Sequence, residues 1–134
     1  MTRPLTWLPL LGLVAVLATM GSPPATAQSM QTKQVMREKL AQSEQLLAAL
    51  VTSNWAALDH HTRALEAVTR DPGWDVMRLP EFNKYTSAFQ RSVQALTAAA
   101  KERDQGTALS AYNGLVSSCV DCHRYLARAR IAQK

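Results

Sequence analysis

The chain has no alternating apolar–polar run of the kind that marks a half-buried strand, no internal repeat and no low-complexity stretch. A sheet fold is thereby excluded, and with it the strand–helix setting that a thioredoxin-like site wants. Cysteine is nearly absent, with Cys119 and Cys122 the only two in 134 residues. Histidine is almost as scarce, present at His60, His61 and His123. A structural zinc site takes four such ligands, usually as two pairs, and only His60 and His61 remain to complete one around the cysteines. Nucleic-acid motifs are also missing. The net charge of +5 is spread along the chain, with one cluster at Arg124, Arg128, Arg130 and Lys134. Cations near the end of a last helix favour its dipole, so that cluster reads as helix-end chemistry, with an edge for an acidic partner, and not as a nucleic-acid surface.

One long apolar run is present, Leu5 to Met20, interrupted by Pro9 and preceded by Arg3, the only charge in that region. It is shorter than the roughly 20 apolar residues of a membrane-spanning helix. Gly21-Ser22-Pro23-Pro24 breaks it, and Ala25-Thr26-Ala27 has the small-residue pattern of a cleavage site. Residues 1–27 are therefore read as a secretory signal cleaved after Ala27. No cysteine for lipidation stands at that point, and there is no twin arginine. The expectation is export to the periplasm by the general route, with no stable membrane anchor. Residues 28–134 suffice for one domain and not two.

What is there instead is helical periodicity. Four amphipathic segments are predicted, at about Met30–Thr52, Trp55–Thr69, Pro80–Arg103 and Asp104–Ile131. In the first, Val35, Met36, Leu40, Leu46, Leu47, Leu50 and Val51 recur at threes and fours. Ser53-Asn54 ends it, and Asn54 suits the N-cap of the second. Asp71-Pro72-Gly73 ends the second segment, whose stripe is Trp55, Leu58, Leu65 and Val68. A loop, Asp71 to Leu79, follows, and Pro80 suits the first turn of the third segment. That segment has the cleanest stripe: Phe82, Tyr85, Phe89, Val93, Leu96 and Ala100. In the fourth, Leu109, Tyr112, Val116, Cys119 and His123 share one side, flanked by Leu115, Cys122 and Leu126. Connections this short imply an all-α, antiparallel up-down-up-down four-helix bundle, a fold that holds cofactors between facing helices.

The chemistry is concentrated in Cys119-Val120-Asp121-Cys122-His123. C-x-x-C-H is the attachment pattern of c-type haem. Two thiols at this spacing each reach one porphyrin edge by a thioether, and the adjoining imidazole reaches the iron. One covalent haem c is expected in the core near the last helix, with His123 as proximal iron ligand. Two other readings use the same residues: an exported dithiol redox protein, and a haem-free helical domain closed by a Cys119–Cys122 disulfide. On the far side of the iron, Met36 is the candidate thioether ligand, against its ordinary use as a core gap-filler. His61 is a weaker one. Trp74, Phe82, Tyr85 and Tyr112 are candidates to pack on the porphyrin or simply to fill the core.

A signal segment, a single four-helix domain and C-V-D-C-H on the final helix together resemble the class II cytochromes c, the cytochrome c′ family, as a short member with a tight link between its first two helices. The likeness runs from about Gln31 to Arg130 and is strongest from Ala111-Tyr112 to His123-Arg124. It implies a non-enzymatic role as an electron carrier with periplasmic redox partners, or as a binder of small gases such as NO and CO. It places the distal side of the haem against the first helix, with Leu there in high-spin members and Met in low-spin ones. It implies an Arg four residues before the distal position that pairs with a propionate. Arg37 in Val35-Met36-Arg37-Glu38-Lys39-Leu40 matches that Arg, which puts Ala41 at the distal position; a neighbouring register puts Leu40 there. A homodimer through the first two helices is also implied.

Overall fold

A computed structural model describes residues 25–132. Most of the predicted signal segment, up to position 24, lies outside the described residues, as do positions 133 and 134. The remainder is four α-helices: α1 (Ala25–Val51), α2 (Trp55–Val68), α3 (Asn83–Glu102) and α4 (Gln105–Ala132). Two short 3₁₀ segments, Pro72–Arg78 and Pro80–Phe82, link α2 to α3. The expected all-α, antiparallel four-helix bundle is what forms. No described helix is long and apolar enough to cross a membrane.

Two turns of the same design join the helix pairs. After α1, Ser53 adopts a left-handed φ of 51°, and Asn54 N–H reaches back to the Ala49 carbonyl at 2.8 Å. After α3, Arg103 adopts φ 56°, and Asp104 N–H reaches the Ala99 carbonyl at 3.0 Å. Each closes a Schellman motif, which satisfies carbonyls that the helix end leaves free. The next residue then caps the following helix. Asn54 Oδ1 accepts from Ala57 N–H at 3.1 Å, and Asp104 Oδ1 accepts from Thr107 N–H at 3.1 Å. One polar residue thus ends one helix and starts the next, which forces antiparallel neighbours.

The core runs through all four helices. Leu46, Leu58, Leu65, Leu96 and Leu115 are fully buried, with Val93 and Thr62 beside them. The predicted third-helix stripe is confirmed in detail: Phe82, Phe89, Val93, Leu96 and Ala100 are buried and Tyr85 is half-buried. The first-helix stripe needs correction. Val35, Leu46 and Leu50 are buried, whereas Leu40, Leu47 and Val51 are exposed. At 3.6 residues per turn the inward line is Val35, Lys39, Gln42, Leu46 and Ala49. The predicted set had merged that line with its flank.

The Asp71–Leu79 connection, expected as a loop, is ordered as 3₁₀ turns. Asp71 Oδ1 accepts from Gly73 N–H at 2.7 Å, and Pro72 opens the segment. Trp74 and Met77 plug into the core, where Trp74 meets Phe89 at 5.4 Å between ring centroids. The α geometry of the third helix begins only at Asn83, after the Pro80–Phe82 turn.

Gly73 rests directly on α1. A Cβ there would lie 2.7 Å from the Gln31 carbonyl oxygen and 2.8 Å from Val35 Cγ2. The Gly73 carbonyl accepts from Thr32 Oγ1 at 3.1 Å. Because the nearest obstacle is backbone, it has no rotamer by which to move aside. Gly73→Ala should therefore cost about 1–3 kcal/mol of overpacking strain. That is a fall of roughly 5–15 °C in the thermal midpoint followed by circular dichroism; an unchanged midpoint would show that the segment does not bear on α1 this closely.

Candidate cofactor-attachment site

The site is set by how α4 packs. Ala108, Ala111, Leu115 and Ser118 form its buried line, and α4 lies along α3 more extensively than along any other helix. Gly114 lets the two helices close up, since a Cβ there would sit 3.0 Å from Ser92 Oγ. With α4 turned this way, Cys119 and Cys122 are half-buried and His123, Val116 and Val120 are exposed. The side of α4 marked by Leu109, Tyr112, Val116, Cys119 and His123 is thus a flank of the core. Its centre belongs to the Leu115 line. Both thiols are free.

That flank faces α1. The Tyr112 hydroxyl donates to the Ser43 carbonyl at 3.2 Å and ties the two helices together. Elsewhere α1 and α4 meet at few points, although they border the same core. Large apolar side chains stay exposed on both: Leu40 and Leu47 on α1, Leu109, Val116 and Val120 on α4. The first and last helices of the bundle have no connection to draw them together, and the seam between them is the least consolidated contact among neighbouring helices.

Lys39 enters this region from α1. Its stem is part exposed, but Nζ lies 3.9 Å from the centroid of the Phe89 ring and 4.7 Å from that of Trp74. Both rings are 2 % exposed, so the ammonium is held at the wall of the core. The ion pairs among the described residues are Arg63–Asp59 and Arg78–Asp75, and Lys39 is in neither. Burial lowers the Lys39 pKa from its ordinary value, and the negative charge of ionised Cys119 and Cys122 opposes that shift. Burial raises the Cys122 thiol pKa, and the Lys39 charge opposes it in turn. One amine and two thiols therefore share a single electrostatic environment. Beyond them, Tyr125 packs against Tyr85 at 5.5 Å and against Phe82 at 5.9 Å.

The other residues picked out in the sequence are more scattered. Met36 is half-buried and packs against the core. Arg37 and Ala41 are exposed, as is Leu40 at 61 %. His61 Nδ1 lies 2.7 Å from Gln42 Oε1, across the α1–α2 interface, and His60 is exposed. Trp74 and Phe82 are core residues. Arg124 and Arg128 are exposed, while Lys134 lies outside the described residues. Lys39 is the residue that sequence reasoning missed. Its spacing of four from Val35, on a line that continues to Gln42 and Leu46, is the signal that identifies it.

The donor set suits covalent haem. Two free, half-buried thiols one turn apart face a thinly packed apolar seam, with an accessible imidazole next to them. Among the described residues no group of three or more His, Cys, Asp or Glu is placed to hold a metal ion directly. Two open clefts, of about 360 and 580 Å³, lie between α2 and α3 and between α1 and α2, and neither is lined by a cysteine.

A family model described as Cytochrome C' matches residues 14–125. Neither a curated protein nor a solved structure matches the chain.

The raised Cys122 pKa makes a kinetic prediction for haem-free protein that retains its helical circular dichroism. In Cys119→Ser, iodoacetamide should alkylate Cys122 several-fold more slowly at pH 8 than it alkylates a free cysteine peptide, because less thiolate is present. The gap should narrow as pH rises. Removing the opposing charge with Lys39→Met should slow the reaction further; an acceleration would contradict the shared environment.

Proposed function

The chain belongs to the cytochrome c′ family, and on that premise we propose that it is a periplasmic mono-haem c-type cytochrome, a carrier of single electrons or a binder of NO or CO, and not an enzyme. The observation that carries this reading is the placement of Cys119, Cys122 and His123 together on α4, with both thiols half-buried and free and the imidazole accessible. Cys119 and Cys122 would hold haem through thioethers, each formed by adding the S–H bond across one vinyl group, sulfur to one carbon and hydrogen to the other, with no oxidant consumed. His123 would hold the iron through its imidazole. Bound haem provides the one-electron couple and the gas site, while this chain sets axial ligation, burial and the partner surface.

The exposed Leu40, Val116 and Val120 flank the seam and offer apolar cover for a porphyrin. On α4, Tyr112 lies before the cysteines, and Tyr125, which packs on Phe82 and Tyr85, lies after them. Export through the Leu5–Met20 segment, with cleavage after Ala27, puts the chain where c-type haem is attached and where its redox partners reside. Exposed Leu47 and Val51 on α1 support a homodimer through α1 and α2.

The test is expression of the full chain in a host that attaches c-type haem. A c-type alkaline pyridine haemochrome is expected, with haem retained on a denaturing gel. Cys119→Ala with Cys122→Ala should abolish covalent haem entirely. A colourless protein from a competent host would sink the proposal. The reduced spectrum with and without carbon monoxide then separates the roles: a large immediate change marks a gas binder, and no change marks a carrier with a firm sixth ligand.

A further inference from the structure

The end of α4 and the start of α3 gather cations around two tyrosines. Tyr125, two residues beyond His123, packs on Tyr85 at 5.5 Å and edge-on to Phe82 at 5.9 Å. Phe82 is buried, but both tyrosines remain half-buried at the α3–α4 edge. Lys84 Nζ stands 4.8 Å from the Tyr85 ring centroid. Arg124 and Arg128, both exposed, flank Tyr125 on α4, one residue before it and three after. Glu81 and Asp121 precede Lys84 and Arg124 by three residues each. Even so, the ion pairs among the described residues are Arg63–Asp59 and Arg78–Asp75, so none of the three cations is bridged to a carboxylate.

Helix electrostatics does not account for this group. Lys84 is in the first turn of α3, where the dipole disfavours a cation. Arg124 stands about two turns before the end of α4 at Ala132, beyond the reach of the C-terminal dipole. At the other end of the same helix pair, Lys101, Glu102, Arg103 and Asp104 hold the two signs in balance. Tyrosine and arginine are the residues that protein interfaces favour, the first for its rigid amphipathic ring and the second for its fork of donors. We propose that the Tyr85–Tyr125 edge is the docking surface for an acidic electron-transfer protein. Its carboxylates meet Lys84, Arg124 and Arg128, and its apolar centre sits on the two rings. Opposite charge steers the encounter and fixes its orientation. The partner's redox role rests on the haem reading, since the face lies beside His123.

The test uses holoprotein already shown by its haemochrome to carry haem. The probe is a glutamate-rich peptide with a central phenylalanine, titrated calorimetrically at low salt and then joined to the protein by carbodiimide, which links carboxylates to lysines. Binding should weaken as salt rises, and Lys84 should be the principal cross-linked lysine. Lys84→Ala with Arg128→Ala, both at exposed positions, should weaken binding several-fold. Tyr85→Ala, which keeps every charge, should also weaken it, and Lys101→Ala should leave it unchanged. Preferential cross-linking at Lys33 or Lys101 overturns the inference, as does binding indifferent to Lys84 and Arg128. Tighter binding of phosphatidylglycerol vesicles than of the peptide through these same residues overturns the choice of a protein partner. A colourless protein is a separate failure: it removes the haem reading, and this partner with it, before any peptide is added.

Discussion

The close approach of α4 to α3 governs the rest of this molecule. Small residues make it possible: Ala108 and Ala111 are buried in the contact, Gly114 meets Ser92, and Ser118 turns its hydroxyl back to the Leu115 carbonyl at 2.7 Å. Helix rotation is thereby fixed, and side chains 3.6 to a turn inherit their directions from it. With Leu115 pointing at the core, Cys119 and Cys122 straddle the boundary between core and flank, and His123 stands further out. The same rotation leaves α4 only lightly engaged with α1. A bundle of four helices in sequence has three connected interfaces and one unconnected one, and here the chemistry is placed at the unconnected one.

Polar groups define what that interface can accept. Tyr112 secures one level by a hydrogen bond to the Ser43 carbonyl, so α1 and α4 are held without being sealed. Lys39 brings a positive charge to the wall of the core, and two thiols face it from α4. An all-apolar seam would close through packing alone. A seam with a desolvated amine on one side and unbonded thiols on the other gains from a cofactor that bonds the sulfurs and covers the surrounding apolar side chains.

Much of this was legible in the sequence. Asn54 was readable as punctuation, because an N-cap preference is a local property of one side chain and the next three backbone amides. The Phe82–Ala100 stripe was readable because the helix it lies on is apolar along one narrow line. C-x-x-C-H was readable as a pattern because it is five consecutive residues, and the helix that carries it was readable from its periodicity. Other features depend on tertiary context. The 3₁₀ turns at Pro72–Arg78 are held by Trp74 in the core and by Gly73 against α1, contacts no local pattern announces. Leu40 reads as core by composition and is exposed, while Lys39 reads as surface and points inward. The register of α1 is decided by Leu46, Ala49 and Leu50, a turn or more away, so Lys39 is told from Leu40 only by following the line from Val35 to Leu46 and not by the two residues themselves.

On the proposed function, α4 presents its two thiols and adjoining imidazole to a single covalent haem. Peptide mass spectrometry of protein exported from a haem-attaching host examines it most directly. The expected result is a peptide spanning Cys119 to His123 that carries one haem bonded through both sulfurs. Recovery of that peptide with free thiols, or with a Cys119–Cys122 disulfide, would contradict it.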